Sequence, residues 1–336
     1  MASTDIARNG WYAAAWSEEI GPALTERWIC GVPLIFFRER DGRPVALDGT
    51  CPHRLYPLAK GRLNDGLVTC GYHGLVFDAA GTCVHAPGAE RIPPKMRLQS
   101  YPLIERGGLI WIWPGAAEAA DPAKIVDWWL TDPAWVAVHD TKIVNARQSL
   151  LIDNLMDLSH EASLHTTTLG QRAINETPLV TETLPDRVRA SRTMFDVPPP
   201  GLFAKVGVSG NIDRGQIAEF HPPGLCLTIV SATPLTPGAK PLRWTVMHAL
   251  TPETAGRTRY LWATARDYAL DDPAIDDIWL TTTNAIFDQD VAALEAQEQR
   301  LLALPDRTEL SLTNDAGGLA ARKLQRAYLR NEATTP

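Results

Sequence analysis

Cysteine is scarce in this chain. Its 336 residues carry five, Cys30, Cys51, Cys70, Cys83 and Cys226, an odd and sparse set that argues against a disulfide framework and for metal or redox use. Long apolar runs are missing too. None approaches the roughly 18 residues that span a bilayer, and the N-terminal stretch MASTDIARNGWYAAAW has no basic region followed by a continuous apolar core. No membrane partner is expected, and the chain reads as cytoplasmic. Nor is positive charge in excess: 32 Lys and Arg against 39 Asp and Glu give a formal net charge of -7, which disfavours nucleic acid and anionic surfaces as ligands. Internal repeats, low-complexity tracts and a G-x-G-x-x-G dinucleotide fingerprint are also absent from the sequence.

What is present is a globular composition, 45% apolar and 21% charged, on a chain long enough for two domains with separate cores. Residues 28–115 read as short strands broken by turns, as in VPLIFFRERDGRPVALDGTC, GLVFDAAGTCVHAPG and GLIWIWPG, with Asp-Gly and Ala-Gly pairs at the reversals. The stretch GAAEAADPAKIVDWWLTDPAW then interrupts the pattern, dividing an all-β domain at 1–117 from a second domain at 118–336. That second domain opens with NARQSLLIDNLMDLSHEASLHTTTLG, where Leu151, Leu155 and Leu158 recur at helical spacing. RVRASRTMFDV, LCLTIVSATPL, RWTVMHALTPET and RTRYLWATARDY follow as strands of an antiparallel sheet. A last long helix, with Asp272 as N-cap and Pro273 in its first turn, would pack on that sheet, making the whole an α+β chain.

Two cysteines and two histidines alternate in CPHRLYPLAKGRLNDGLVTCGYH, residues 51–73. Cys51 pairs with His53 and Cys70 with His73, giving C-x-H, a gap and C-x2-H. A common structural zinc pattern groups Cys with Cys and His with His; here each cluster can give a thiolate to one iron and an imidazole to another. Two cysteines on one iron and two histidines on the other describe a Rieske [2Fe-2S] centre, whose imidazoles raise its potential above that of all-cysteine clusters. Electron transfer is the chemistry such a centre supports, and a zinc-stabilised binding module is the alternative. Pro52, Gly71 and Gly74 let the loops turn tightly, and the second ring nitrogen of each histidine can face outward to a partner.

A second group lies in DNLMDLSHEASLH: Asn154, Asp157, His160 and His165. Asp157 and His160 would share a helical face, whereas His160 and His165 lie about 140° apart around a regular helix. Both reach one metal only where the helix ends or distorts. Two histidines alone default to satisfied structural residues, but a carboxylate would complete the two-histidine, one-carboxylate triad of non-heme Fe(II) oxygenases, which leaves coordination positions open. On the long helix Ile275, Trp279, Ile286, Leu294 and Leu301 form one stripe; Asp290 falls within it and Asp288 nearly opposite. An acid on a buried stripe is costly unless paired or metal-bound, so Asp290 is the predicted third ligand.

The 51–73 stretch closely resembles the motif of Rieske non-heme iron oxygenases and their ferredoxins, with Arg54 and Tyr72 where respiratory Rieske proteins carry disulfide-forming cysteines. With N-x2-D-x2-H-x4-H and a late Asp, essentially the whole chain resembles the catalytic subunit of those oxygenases. DNLMDLSHEASLH looks most like the vanillate O-demethylase and dicamba monooxygenase group. The resemblance implies a Rieske domain followed by a helix-grip catalytic domain. It implies Cys51 and Cys70 on one cluster iron, His53 and His73 on the other, and His160, His165 and Asp290 on a catalytic Fe(II), with Asn154 nearby. Asp157 would bridge His160 to His73 of a neighbouring subunit in a head-to-tail homotrimer.

The activity so implied is a monooxygenase that takes NAD(P)H electrons from a separate reductase or ferredoxin and uses O2 to oxidise a methoxy or methyl group of a small aromatic acid. N-demethylation or ring hydroxylation is the alternative within the family, and an electron carrier with a non-catalytic C-terminal domain the alternative outside it. Arg54, Lys60, Arg62, Arg91, Lys95 and Arg97 form a candidate basic rim for an acidic electron donor, or an ordinary solvated loop. For the substrate, His221 and His248 are candidates to meet a phenol or carboxylate and Arg243 a carboxylate; His85 and His139 read as structural.

Overall fold

The computed structural model describes residues 6–126 and 132–334, so part of the predicted connector, 127–131, lies outside the described residues. The chain separates into two compact units, Met1–Val126 with Thr251–Ala255, and Asp127–Leu250 with Gly256–Pro336.

Among the described residues the first unit has ten short strands: β1 (Tyr12–Trp16), β2 (Thr25–Ile29), β3 (Val32–Arg38), β4 (Pro44–Asp48), β5 (Arg62–Asn64), β6 (Leu67–Thr69), β7 (Val76–Phe77), β8 (Cys83–His85), β9 (Leu103–Arg106) and β10 (Leu109–Ile112). They form three small antiparallel sheets ordered β1-β10-β9, β2-β3-β4 and β5-β6-β7-β8. The continuous apolar run Leu34-Ile35-Phe36-Phe37 in β3 is buried on both faces, as such runs are when no side of a strand meets water. Ile35 and Phe37 join the core that also holds Cys51 and Cys70, while Leu34 and Phe36 join Tyr12, Ile110 and Ile112. The ligand loops therefore stand on a packed floor. Asp65 and Gly66, both at positive φ, close the β5–β6 hairpin as the Asp-Gly pair predicts.

The second unit has a seven-stranded antiparallel sheet. Its strands are β11 (Val136–Val144), β12 (Val180–Thr183), β13 (Val188–Val197), β14 (Ile212–His221), β15 (Leu225–Pro234), β16 (Leu242–Thr254) and β17 (Arg257–Arg266), in the order β11-β17-β16-β15-β14-β13-β12. Its helices are α1 (Gln148–Met156), α2 (Glu161–Leu164), α3 (Ala173–Glu176), α4 (Gly201–Lys205), α5 (Pro273–Ala303) and α6 (Ala316–Thr334). The long helix starts as predicted: Asp272 accepts a hydrogen bond from the Ala274 N–H at 3.0 Å, and Pro273 opens the first turn. Trp279, Ile286, Phe287 and Leu294 of α5 pack on Trp244 and Trp262 of the sheet.

The sequence pattern does not mark β14 or α6. In β14 the buried positions include Arg214 and Gln216, so polar residues occupy the inward face and erase the apolar alternation. In α6 the first turn contains Gly317 and Gly318, poor helix formers. Gly317 is there for contact: a Cβ on it would lie 2.6 Å from the Met156 carbonyl oxygen of α1.

Candidate functional site

The two loops of the first unit are one turn used twice. Cys51 N–H donates to Tyr56 O at 2.9 Å and Leu55 N–H returns to Cys51 O at 2.9 Å; Cys70 N–H donates to Leu75 O at 2.8 Å and Gly74 N–H returns to Cys70 O at 3.1 Å. The fifth residue of each turn sits at positive φ, Gly74 at 73° and Leu55 at 55°. Leucine in that region costs about 1–2 kcal/mol, so the first loop holds a strained residue where the second uses glycine. Each turn buries its cysteine and leaves its histidine exposed. The rings of His53 and His73 come together with centroids 4.6 Å apart.

Burial pushes the Cys51 thiol up, the main-chain N–H groups of His53 and Arg54 pull it down, and the adjoining Cys70 thiol adds to the rise. Two neighbouring buried thiols, N–H groups aimed at sulfur and two paired outer imidazoles fit a Rieske cluster. All six residues of the basic rim are exposed.

In the second unit the helix that begins at Gln148 stops at Met156. Asp157, with φ −122° and ψ 92°, breaks it; a 3-10 turn follows over Leu158–His160, then α2, and His165 caps α2 outside helical geometry. That distortion is what a five-residue spacing requires for both rings to meet one point. His165 Nε2 lies 3.2 Å and His160 Nε2 3.4 Å from Asp290 Oδ1, and the three donor atoms fall within 4.8 Å of one another. Among the described residues this is the only such set of three or more His, Cys, Asp or Glu side chains.

The tautomers are dictated by the outer nitrogens. His160 Nδ1–H donates to the Asp157 carbonyl at 2.7 Å and His165 Nδ1–H to Gln289 Oε1 at 2.8 Å, since both oxygens only accept. Each ring thereby keeps Nε2 as the nitrogen that faces Asp290 and that, once it gives up any proton, ligates a metal. Asn154 Nδ2 donates to Asp290 Oδ1 at 3.3 Å, which orients the carboxylate. Burial opposes a charged His165, but the hydrogen bond and charge of Asp290 outweigh it and raise its proton affinity. A metal cation would occupy the same attractive spot. The donor set, two neutral imidazoles and one carboxylate, fits Fe(II) with open positions.

Asp157 meets His160 through its main-chain oxygen; its carboxylate instead accepts from the Ser159 N–H at 2.9 Å. Asp157 also borders a polar recess with Asp153, Glu309 and Arg322, separate from the cavity beside the triad.

That cavity is a small one, about 70 Å³. His160, His165 and Asp290 line it with Asn154, and its wall is otherwise largely apolar, including Phe203, Trp244, Trp279 and Phe287. Of the substrate candidates, only His248 lies on it. His248 bonds Tyr260 Oη at 2.6 Å through Nδ1 and Thr228 Oγ1 at 3.0 Å through Nε2, and complete burial pushes its pKa down to about 3. His221 instead pairs with Glu219 at 3.1 Å, and Arg243 with Asp267 at 2.6 Å on an exposed edge over Trp135; neither lines the cavity. Asp288 is exposed and bonds Lys142. Gln289, Glu161 and Arg214 were not legible as site residues: a glutamine and an internal ion pair carry no spacing signature.

A loop-tip Cys/His cluster site together with a two-histidine, one-carboxylate wall in a helix-grip unit defines the Rieske non-heme iron oxygenase class. Family comparison agrees: residues 10–102 match the Rieske [2Fe-2S] domain, and residues 144–331 match the vanillate O-demethylase oxygenase C-terminal domain. The chain belongs to the Rieske non-heme iron oxygenases, as an oxygenase subunit of the vanillate O-demethylase and dicamba monooxygenase group. It is 35% identical to the vanillate O-demethylase oxygenase subunit of Pseudomonas sp. (strain HR199 / DSM 7063), covering 94% of this chain and 93% of that one. It is 34% identical to the toluene-4-sulfonate monooxygenase system iron-sulfur subunit of Comamonas testosteroni, over 97% of both. Dicamba monooxygenase bound to 3,6-dichlorosalicylic acid superposes over 100% of both chains with a TM-score of 0.92 at 30% identity.

Proposed function

We propose that this oxygenase oxidises a methoxy group on a small aromatic acid, using O2 and electrons delivered from NAD(P)H by a separate reductase or ferredoxin. The observation that carries the reading is the cavity: an aromatic-lined space with the triad on its wall. When bound, Fe(II) at His160, His165 and Asp290 supplies O2 activation, and the [2Fe-2S] cluster at Cys51, His53, Cys70 and His73 supplies single electrons. The chain's own residues do the rest. Asn154 and Gln289 fix the ligands; Trp244, Trp279 and Phe287 exclude water and clamp a ring; Thr228, held by His248 and through it by Tyr260, presents a hydroxyl on the cavity wall to a phenolic or carboxylate oxygen.

Oxidation of a methoxy carbon gives a hemiacetal that collapses to a phenol and formaldehyde. Incubating the reduced protein and a surrogate reductase with a panel of methoxybenzoates should release formaldehyde in step with NADH consumed. No formaldehyde from any of them, with tight coupling to another substrate, would sink the assignment. The similarity to a toluene-4-sulfonate monooxygenase subunit favours methyl oxidation as a second reading, whose product is a benzylic alcohol.

Three copies in a head-to-tail ring are the assembly we propose, with His73 of one copy meeting the Asp157 carboxylate of the next. The exposed His73 ring and the recess beside Asp157 support it. Light scattering during size-exclusion chromatography should give the mass of three chains; a stable monomer with full turnover would overturn the ring. Among the described residues no helix is long and apolar enough to cross a membrane.

A further inference from the structure

Between the two histidines of the triad stands a buried ion pair that the chemistry above does not use. Glu161, 4% exposed, directly follows His160, and Arg214 on β14 is 1% exposed. Glu161 Oε2 accepts from Arg214 Nη2 at 2.8 Å and from Gln216 Nε2 at 2.9 Å. The same guanidinium reaches past His165, donating from Nη1 to the Leu169 carbonyl at 3.0 Å and to Gln171 Oε1 at 2.8 Å, with its plane 4.9 Å from the centre of the Phe203 ring. A single side chain of the sheet thus grips the chain on both sides of His165 and, through Glu161, next to His160.

Two physical arguments give this grip a purpose. The segment that carries the histidines is a 3-10 turn and a four-residue helix, far below the length at which a helix holds its own shape. Its geometry must come from tertiary contacts. A buried ion pair, moreover, is a poor stabiliser: replacing one by apolar residues of similar volume is often neutral or favourable, whereas its directional hydrogen bonds fix register. The loop after His165 is tied in the same sense, since the His165 carbonyl accepts from the N–H groups of Thr168, Leu169 and Gly170 at 3.0, 3.1 and 2.8 Å.

We propose that Arg214 and Glu161 are positioning residues for the metal site, clamping segment 160–171 to β14 so that His160 and His165 Nε2 stay at the spacing one metal requires. The inference rests on His160, His165 and Asp290 being that site. It concerns how tightly and in what geometry a divalent metal is held.

The test uses the full chain with its cluster in place and the mononuclear site emptied by a chelator, titrated with Co(II) in competition with a chromophoric chelator. Glu161→Met combined with Arg214→Met removes both charges of the pair together and leaves Arg192 facing Asp157 alone, and its fold is read from the cluster absorbance and thermal melting. The double variant should bind Co(II) about 10–100-fold more weakly, the loss typical of removing outer-shell support, with a changed visible Co(II) spectrum. Glu161→Gln, which keeps an acceptor for Arg214 and Gln216, should fall between it and the unaltered chain, and carries the comparison alone where the double variant does not accumulate. Unchanged Co(II) affinity and spectrum in folded variants would overturn the proposal. Unchanged Co(II) binding with a raised KM would overturn it in favour of substrate contact, since both residues border the cavity. Failure of the unaltered chain to take up Co(II) would instead overturn the metal site itself, and the clamp with it.

Discussion

At the Rieske loops the cysteines are buried and the imidazoles of His53 and His73 stand in solvent, whereas at the triad His165 and Asp290 are buried and His160 is half-buried. The supports differ as well. The first site is made by two copies of one turn, its groups held by main-chain hydrogen bonds within about five residues; the second draws on α1, α2 and α5, with Gln289 and Asn154 as side-chain supports. A centre that hands on electrons needs an exposed edge. One that activates a reagent beside a substrate needs a dry pocket whose walls come from several elements.

The largest effects should come from emptying each site in turn. Asp290→Ala should abolish turnover and lower iron from about three to about two per chain, with the cluster spectrum retained. Cys70→Ser should remove that spectrum while the triad still takes up Co(II). Either substitution emptying both sites would break the contrast between two independently built centres. Asp157→Ala comes next. Because the main-chain oxygen of residue 157 holds His160, metal affinity should persist while turnover is nearly lost; full activity would remove Asp157 from the electron path.

Gln289→Leu sharpens the comparison from the other side. It deprives His165 Nδ1–H of its acceptor and should weaken Co(II) binding about 10–100-fold without touching the cluster.

A smaller effect concerns pH. The folded pKa of His248 is about 3 against an ordinary 6.5, so its contribution to stability is full above 6.5 and is lost as pH falls from 6.5 towards 3. Melting curves should show the second unit losing up to about 1.4 kcal/mol per pH unit across that window, and His248→Gln should flatten the slope. Least of all, Asp288→Ala should cost under about 1 kcal/mol and leave iron content unchanged, because Asp288 is exposed and its ion pair is with a half-buried Lys142. Loss of iron there would exchange the roles of Asp288 and Asp290.

Both candidate ligand sets were legible because metal chemistry demands particular residue types, and the backbone supplies their spacing locally. Asp290 was separable from Asp288 by helix arithmetic, since burial on α5 follows the 3.6-residue period through Trp279, Ile286 and Leu294. His221 and Arg243 could not be sorted that way. Both belong to the sheet region, but Glu219 and Asp267 claim them away from the cavity. Leu55 offered no signal either: a leucine at positive φ is held there by the turn around Cys51, against its own preference.

The sequence by itself determined the α+β plan and singled out the two groups of candidate metal ligands, because periodicity and ligand type are properties of short segments. Only the tertiary structure decided which atom of Asp157 meets His160, that Gln289 sets the His165 tautomer, and that His248 alone of the substrate candidates reaches the cavity. It also joined Arg214 to Glu161 across 53 positions. Such partnerships depend on which side chains packing brings within about 3 Å, and no local pattern encodes that.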